Sequence, residues 1–216
     1  MFATPETLAI MALRYGVDVE ASHNQAYDYG DGFERGGVRF SFHPAGHVLG
    51  SAQILMEYQG ERIVVTGDYK RRPDPTCAPF EVVPCDIFIT EATFGLPVFR
   101  HPPTADALGK AQRVIAELRG AGWDAPIYIH GALEKMCELY AMHGVNLGEL
   151  RLVSETDKAE MAGQIVLAPP SALNDRWSRR LPDPVTAMAS GWMRVRQRAR
   201  QRMVELPLVI SDHADW

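Results

Sequence analysis

From Val38 to Asp68 the sequence keeps the two-residue rhythm of β-strands, and no other stretch constrains the fold as tightly. The strand-like runs are Val38–Phe42, Ala52–Tyr58 and Arg62–Thr66, with Gln59-Gly60 as a tight turn between the last two. The short apolar run Asp86–Thr90 suits a buried strand. Beyond it the rhythm changes. Ala107–Leu118 reads as helix, Ile127–His130 as strand, Ala132–Met142 as helix and Gln164–Ala168 as strand, with Thr186–Ser190 and Leu208–Ser211 completing the strands. Strands alternating with helices imply a largely parallel sheet covered on both faces, so the fold class is α/β. Near the start, Thr4-Pro5-Glu6 marks a helix, with Thr4 as N-cap, Pro5 at the first helical position and Gly16 as the stop. The proline-rich stretches Pro73–Pro84, Pro102-Pro103 and Pro169–Pro184 read as loops.

Composition narrows the function. The 216 residues carry a formal charge of −5, so any nucleic-acid binding must come from a local patch. Three cysteines (Cys77, Cys85 and Cys137) without CxxC spacing argue against a disulfide framework and a cysteine zinc site, and fit a reducing cytoplasm. The N-terminal stretch lacks the pattern of a signal peptide, and no apolar run nears the roughly 18 residues of a membrane span. A soluble, cytoplasmic protein is expected.

Several polar residues stand just beyond apolar strands, where α/β folds build sites. His47 lies between Gly46 and Gly50 in Pro44-Ala45-Gly46-His47-Val48-Leu49-Gly50-Ser51-Ala52, a loop bent enough to aim an imidazole. Such a histidine serves as a ligand or as a structural group. Asp68 ends Ile63-Val64-Val65-Thr66-Gly67-Asp68 and suits either a metal or a turn cap. Glu91 follows the Asp86–Thr90 run in the same manner, and His213 follows Leu208–Ser211. His130 ends a strand before a helix and is read as structural, and the Met and Leu positions of Ala132–Met142 as core.

Taken together, the contexts of His47, Asp68, Glu91 and His213 resemble the β-CASP metallo-β-lactamase-fold nucleases. Pro44–Ala52 resembles that family's third metallo-β-lactamase motif, and Gly67-Asp68-Tyr69-Lys70 its fourth. Thr90-Glu91-Ala92-Thr93-Phe94-Gly95 resembles its motif A, and Ser211-Asp212-His213-Ala214-Asp215 its motif B. Two further stretches, from Tyr69-Lys70 through Pro73–Phe80 and Ala189-Ser190-Gly191-Trp192-Met193, resemble the bacterial ligase-associated DNA exonuclease branch.

The resemblance implies a partial αββα sandwich over residues 1–94, a shortened parallel-sheet β-CASP insert over 95–206, and a return strand over 207–216. It implies zinc, two ions in a complete site, with His47 a ligand of one and Asp68 bridging both. Glu91 and His213 would be catalytic with Asp68, His213 acting on the phosphate or as the acid for the leaving oxygen. DNA is the implied substrate, and an ATP-dependent DNA ligase and a helicase the implied partners. The family's HxHxDH motif is expected before the Thr4 helix, and its motif C after Trp216. Between the positions of Pro103 and Ala107 the family carries a further helix and strand. Here the segment that follows them survives as Leu108–Arg113 and its preceding strand does not. The chain is therefore expected to be a fragment with an internal deletion, or the product of an incomplete gene, with an incomplete zinc site.

The other nucleic-acid signal is Arg194, Arg196, Arg198, Arg200 and Arg202, every second residue. On a strand they line one face, and otherwise they are a solvated segment. Lys110, after Gly109 at a helix start, meets a phosphate or is plain surface charge. The expected function is a metal-dependent DNA exonuclease. A non-catalytic nucleic-acid-binding or scaffold fragment is the alternative. A metallo-β-lactamase-fold hydrolase acting on thioesters or small phosphodiesters fits poorly, because a long α/β insert separates Glu91 from His213.

Overall fold

The computed structural model describes residues 1–21, 23–93, 111–190 and 205–209. They fall into two compact units, one ending before Arg100 and the other beginning after His101.

The first unit is built on a five-stranded sheet. In chain order its elements are β1 (Phe2–Ala3), α1 (Pro5–Tyr15), β2 (Gln25–Ala26), β3 (Gly32–Arg35), β4 (Val38–Pro44), β5 (Ala52–Tyr58), β6 (Glu61–Val65) and β7 (Ile87–Ile89). The sheet runs β3-β4-β5-β6-β7, antiparallel except for the parallel pair β6–β7. Strands β5 and β6 are joined at Gln59 and Gly60, both at positive φ (51° and 87°), the backbone of a primed hairpin turn whose twist matches that of the strands. One face is closed: Leu55 and Val64, cross-strand partners, are buried together with Val83 from the segment that returns toward β7. The opposite face carries Ile54, Met56, Ile63, Val65, Ile87 and Ile89 by register, and Ile54, Ile87 and Ile89 remain exposed.

The expectation that the run at Asp86–Thr90 is a buried strand is therefore corrected. The strand forms, but Ile87, Phe88 and Ile89 are 46%, 49% and 52% exposed, because β7 is the sheet's edge among the described strands. Toward the other edge the aromatics gather: the Phe33 ring lies 4.3 Å from Tyr27, 4.9 Å from Phe2 and 5.4 Å from Phe40.

Helix α1 begins as its sequence dictates. Thr4 is the N-cap, Pro5 opens the helix, and Gly16 closes it in the left-handed conformation at φ 64°. The two-residue strands β1 and β2 pair in parallel across this helix.

The second unit contains α2 (Ala111–Gly120), β8 (Ile127–Ile129), α3 (Glu134–Met142), β9 (Leu150–Leu152), β10 (Val166–Leu167), β11 (Ala187–Ser190) and β12 (Leu206–Val209). Strand β8 is central in the order β10-β8-β9, all parallel and with every residue buried, as continuous apolar strands between layers require. Ile115 of α2 and Cys137, Leu139 and Tyr140 of α3 supply buried side chains. A second pair, β11–β12, is also parallel. Arg119 fastens the strand entrances, donating to the carbonyls of Trp123, Ala125, Leu147 and Glu149 at 2.6–3.0 Å. The alternation of strands with helices thus gives the expected parallel sheet in this unit. The helix expected from Ala132 begins with a 3₁₀ turn at Gly131–Leu133.

No helix among the described residues is long and apolar enough to cross a membrane.

Candidate functional site

Chain direction gathers the site. The β4–β5 loop, the end of β6 and the end of β7 all lie at one end of the sheet, since Pro44 pairs with Ala52 and β6 and β7 run parallel. That end receives His47, Asp68 and Glu91.

The His47 loop is held from within and from two sides. Ser51 Oγ accepts from the backbone N–H of His47 and of Val48, both at 3.1 Å. Ala45 N–H donates to Ser51 O at 3.1 Å, and Ser51 N–H to Val48 O at 2.9 Å. From the helix side, the hydroxyls of Thr4 and Thr7 donate to Gly50 O at 2.7 and 2.9 Å. Gly50 adopts φ +74°, and a Cβ there would lie 2.7 Å from Glu6 Cβ, so the glycine lets the helix start approach. Tyr29 Oη donates to Ser51 O at 3.0 Å, and burial raises its phenol pKa.

From the other side comes the loop that carries Asp68. Lys70 N–H donates to Ala45 O at 2.9 Å, and Gly46, at φ +72°, has no room for a Cβ, which would stand 2.3 Å from Lys70 O. The Lys70 ammonium is buried, with Asp74 Oδ2 3.9 Å away. Asp74 Oδ1 in turn accepts from the backbone N–H and hydroxyl of Thr76 at 2.9 and 2.7 Å. Gln53 joins both sides of the end, donating to Pro44 O at 3.0 Å and to Glu81 O at 2.7 Å.

The outcome is that His47 Nε2, nearly buried, lies 3.8 Å from Asp68 Oδ2, which is half-exposed. Beside them Thr66 N–H donates to Ile89 O at 3.0 Å, and Glu91 N–H points at Thr66 Oγ1 at 3.4 Å. The Glu91 carboxylate accepts from Thr93 N–H at 2.6 Å.

The donor chemistry of the pair suits a cation. Imidazole nitrogen and carboxylate oxygen are both zinc ligands, and two ligands at about 2.0–2.2 Å on one tetrahedral ion stand about 3.4 Å apart. The observed 3.8 Å is close to that. Among the described residues no group of three or more His, Cys, Asp or Glu side chains is placed to hold a metal.

His130 takes a structural position, its Nδ1 accepting from Ala132 N–H at 3.0 Å and its ring 4.8 Å from that of Trp177. His213, Lys110, Arg194, Arg196, Arg198, Arg200 and Arg202 lie outside the described residues. Sequence reasoning gave no role to Lys70, Asp74 and Tyr29. The usable signal was Asp74-Pro75-Thr76, a turn in which the carboxylate bonds the chain two residues on.

No protein-family model matches the chain. Among solved structures, a protein of unknown function from Enterococcus faecalis V583 shares the fold with a TM-score of 0.55 at 12% identity, over 99% of this chain and 64% of that one. Among curated proteins, a probable DNA ligase of Opitutus terrae is 30% identical over 202 residues, 82% of this chain and 19% of that protein. The endoribonuclease YSH1 of Eremothecium gossypii is 31% identical over 132 residues, 57% of this chain and 17% of that one. The cleavage and polyadenylation specificity factor 73 of Drosophila melanogaster is 27% identical over 152 residues, 67% and 22% respectively. The chain belongs to the β-CASP metallo-β-lactamase family. It spans about a fifth of the length of these curated relatives. Among the described residues, the stretches at His47, Asp68 and Glu91 come to a common end of the sheet.

Proposed function

We propose that the chain is the nuclease part of a metal-dependent DNA exonuclease of the ligase-associated type, hydrolysing phosphodiester bonds. The observation that carries the reading is the approach of His47 to Asp68, 3.8 Å apart at the end of the sheet where Glu91 also emerges. Similarity to a protein named a probable DNA ligase favours DNA over RNA as substrate.

Zinc, when bound, supplies Lewis acidity and screens the charge of the phosphate. His47 would hold it, its imidazole aimed by the loop that Ser51 and Lys70 brace. Asp68 brings the carboxylate, and its exposure leaves room for a substrate phosphate. Glu91, tied through its backbone to Thr66, orients neighbouring donors. His213 gives a proton to the leaving oxygen. Further ligands beyond the pair would be needed to complete the set, and an ATP-dependent ligase and a helicase are the partners that such processing of ends calls for.

The test is an assay of the intact chain with end-labelled DNA and RNA oligonucleotides and added Zn²⁺ or Mn²⁺. A ladder of DNA products shortened from one end, lost in Asp68→Asn, is the expected result. Cleavage of RNA alone, or internal cuts only, overturns the DNA-exonuclease assignment. Oligonucleotide binding without cleavage under any metal leaves the non-catalytic reading in its place.

A further inference from the structure

We propose that the turn at Arg176–Arg180, in the second unit, is a docking surface for the phosphate backbone of a nucleic-acid strand. The proposal rests on the nucleic-acid reading above but not on its metal chemistry.

The segment Asp175-Arg176-Trp177-Ser178-Arg179-Arg180-Leu181 has an anchored side and a charged side. Asp175 caps the turn, accepting from Arg176 N–H at 2.6 Å, and its carbonyl accepts from the Ser178 hydroxyl at 2.8 Å. Leu181 N–H closes the turn onto Ser178 O at 3.1 Å. Leu181 is buried with Tyr128, Val153 and Met161, and Trp177 packs against the same cluster. Two apolar side chains of the turn are thus fixed in the core of the unit.

The charged side faces water. Arg176, Arg179 and Arg180 are exposed within five residues of 3₁₀ helix. With three residues per turn and about 2 Å rise per residue, Arg176 and Arg179 lie one above the other, about 6 Å apart. Lys158 adds a fourth cation beside them, its ammonium donating to Arg179 O at 3.4 Å. None of the four cations is ion-paired with a carboxylate among the described residues. Arg151, by contrast, is paired with Glu149 at 2.7 Å.

Arg176 and Arg179 stack on one face and Arg180 is exposed a third of a turn away. The turn thus presents three guanidinium forks, without carboxylate partners among the described residues, that match phosphate oxygens. Because the turn is already ordered, a strand that docks there costs little backbone entropy on the protein side. The contacts read phosphate and not base, so binding is sequence-tolerant and salt-dependent.

The experiment is fluorescence anisotropy with the intact chain and a labelled single-stranded DNA. The DNA is about 20 nucleotides long, beyond the roughly 4–16-nucleotide footprint of a typical single-strand site. Measurements run over a series of salt concentrations in EDTA, so hydrolysis plays no part. The triple variant Arg176→Ala, Arg179→Ala, Arg180→Ala should flatten the slope of log affinity against log salt by about 2, at about 0.7 per phosphate contact, and bind about tenfold or more weakly at low salt. A charge-matched control, Arg14→Ala, Arg35→Ala, Lys135→Ala, should keep the parent slope. The corresponding triple lysine variant of the turn should keep most of it, which separates lost charge from lost fold.

Four results overturn the proposal: a parent chain that binds no DNA at low salt, an alanine variant with the parent slope, a control that loses as much, or a lysine variant that loses the slope. So does displacement of the DNA by polyglutamate as readily as by unlabelled DNA at equal charge, which marks a site for an acidic protein. A chain that binds through this turn but does not cut DNA refutes the nuclease reading alone.

Discussion

Gly46 carries the steric demand of the site in one hydrogen atom. Any side chain there meets Lys70 O at 2.3 Å, and its φ of +72° is already unfavourable for other residues. Gly46→Ala should therefore cost on the order of 1–3 kcal/mol and force the His47 loop away from the Asp68 loop. The thermal midpoint and the zinc affinity, measured by calorimetry, should fall together. An unchanged affinity would show that the pair is held by something other than this contact.

Cys77 makes a second residue-scale prediction. Burial pushes its thiol from the ordinary 9.0 to about 11, with the nearby Lys70 charge pulling the other way. An unfolded chain releases that proton near pH 9 while the folded chain keeps it, so stability is full below pH 9 and falls as pH rises toward 11. Urea midpoints across this window should fall more steeply for the parent than for Cys77→Ser. Lys70 shows why such neighbours escape a reading of sequence. A fully buried lysine is rare, and its partner Asp74 looks from the sequence like an ordinary turn residue. The placement of His47 and Asp68 at a sheet end was legible because one sits between glycines after a strand and the other ends a strand.

At the scale of elements, the long alternating strands were readable, and so were the short apolar runs that form β7, β8, β10 and β11, whereas β1, β2, β3 and β9 were not. Strand β5 spans Ala52–Tyr58 as expected, its pattern being seven residues long and set off by a turn. Strands β1 and β2 have two residues each and exist only through pairing with each other across more than twenty positions, which no local pattern records. Strand β3 carries one apolar residue, Phe33, whose place is fixed by the neighbouring rings. Strand β7 is the instructive case, because its composition announces a core and its position denies one. Apolar runs read the same at an edge as at a centre, since the difference lies in what pairs beyond them. Three exposed apolar side chains on what is the edge strand among the described residues favour self-association. Replacing Ile87 and Ile89 by threonine should lower the sedimentation coefficient of the chain at high concentration while leaving its thermal midpoint nearly unchanged. An unaltered sedimentation profile would place the association elsewhere or exclude it.

For the whole molecule, the formal charge of −5 means that a nucleic-acid strand is repelled on average and held only where cations concentrate. The chemistry proposed for the chain draws on residues far apart in sequence, from His47 and Asp68 to His213, and their roles separate by what each loss removes. Asp68→Ala should lose metal as well as activity, because the role proposed for its carboxylate is to hold the metal. His213→Ala should keep its metal and slow turnover on DNA by about 10²–10⁴-fold, the worth of a positioned acid. Metal content by elemental analysis and single-turnover rates on the same preparations read the two quantities independently. The contrast survives any difference in absolute rate, since it compares variants of one protein under one set of conditions. If His213→Ala strips the metal, the histidine is a ligand and the acid must be sought among other groups. If Asp68→Ala keeps its metal but loses its rate, the carboxylate acts on the substrate instead, and the 3.8 Å approach to His47 serves to orient the imidazole.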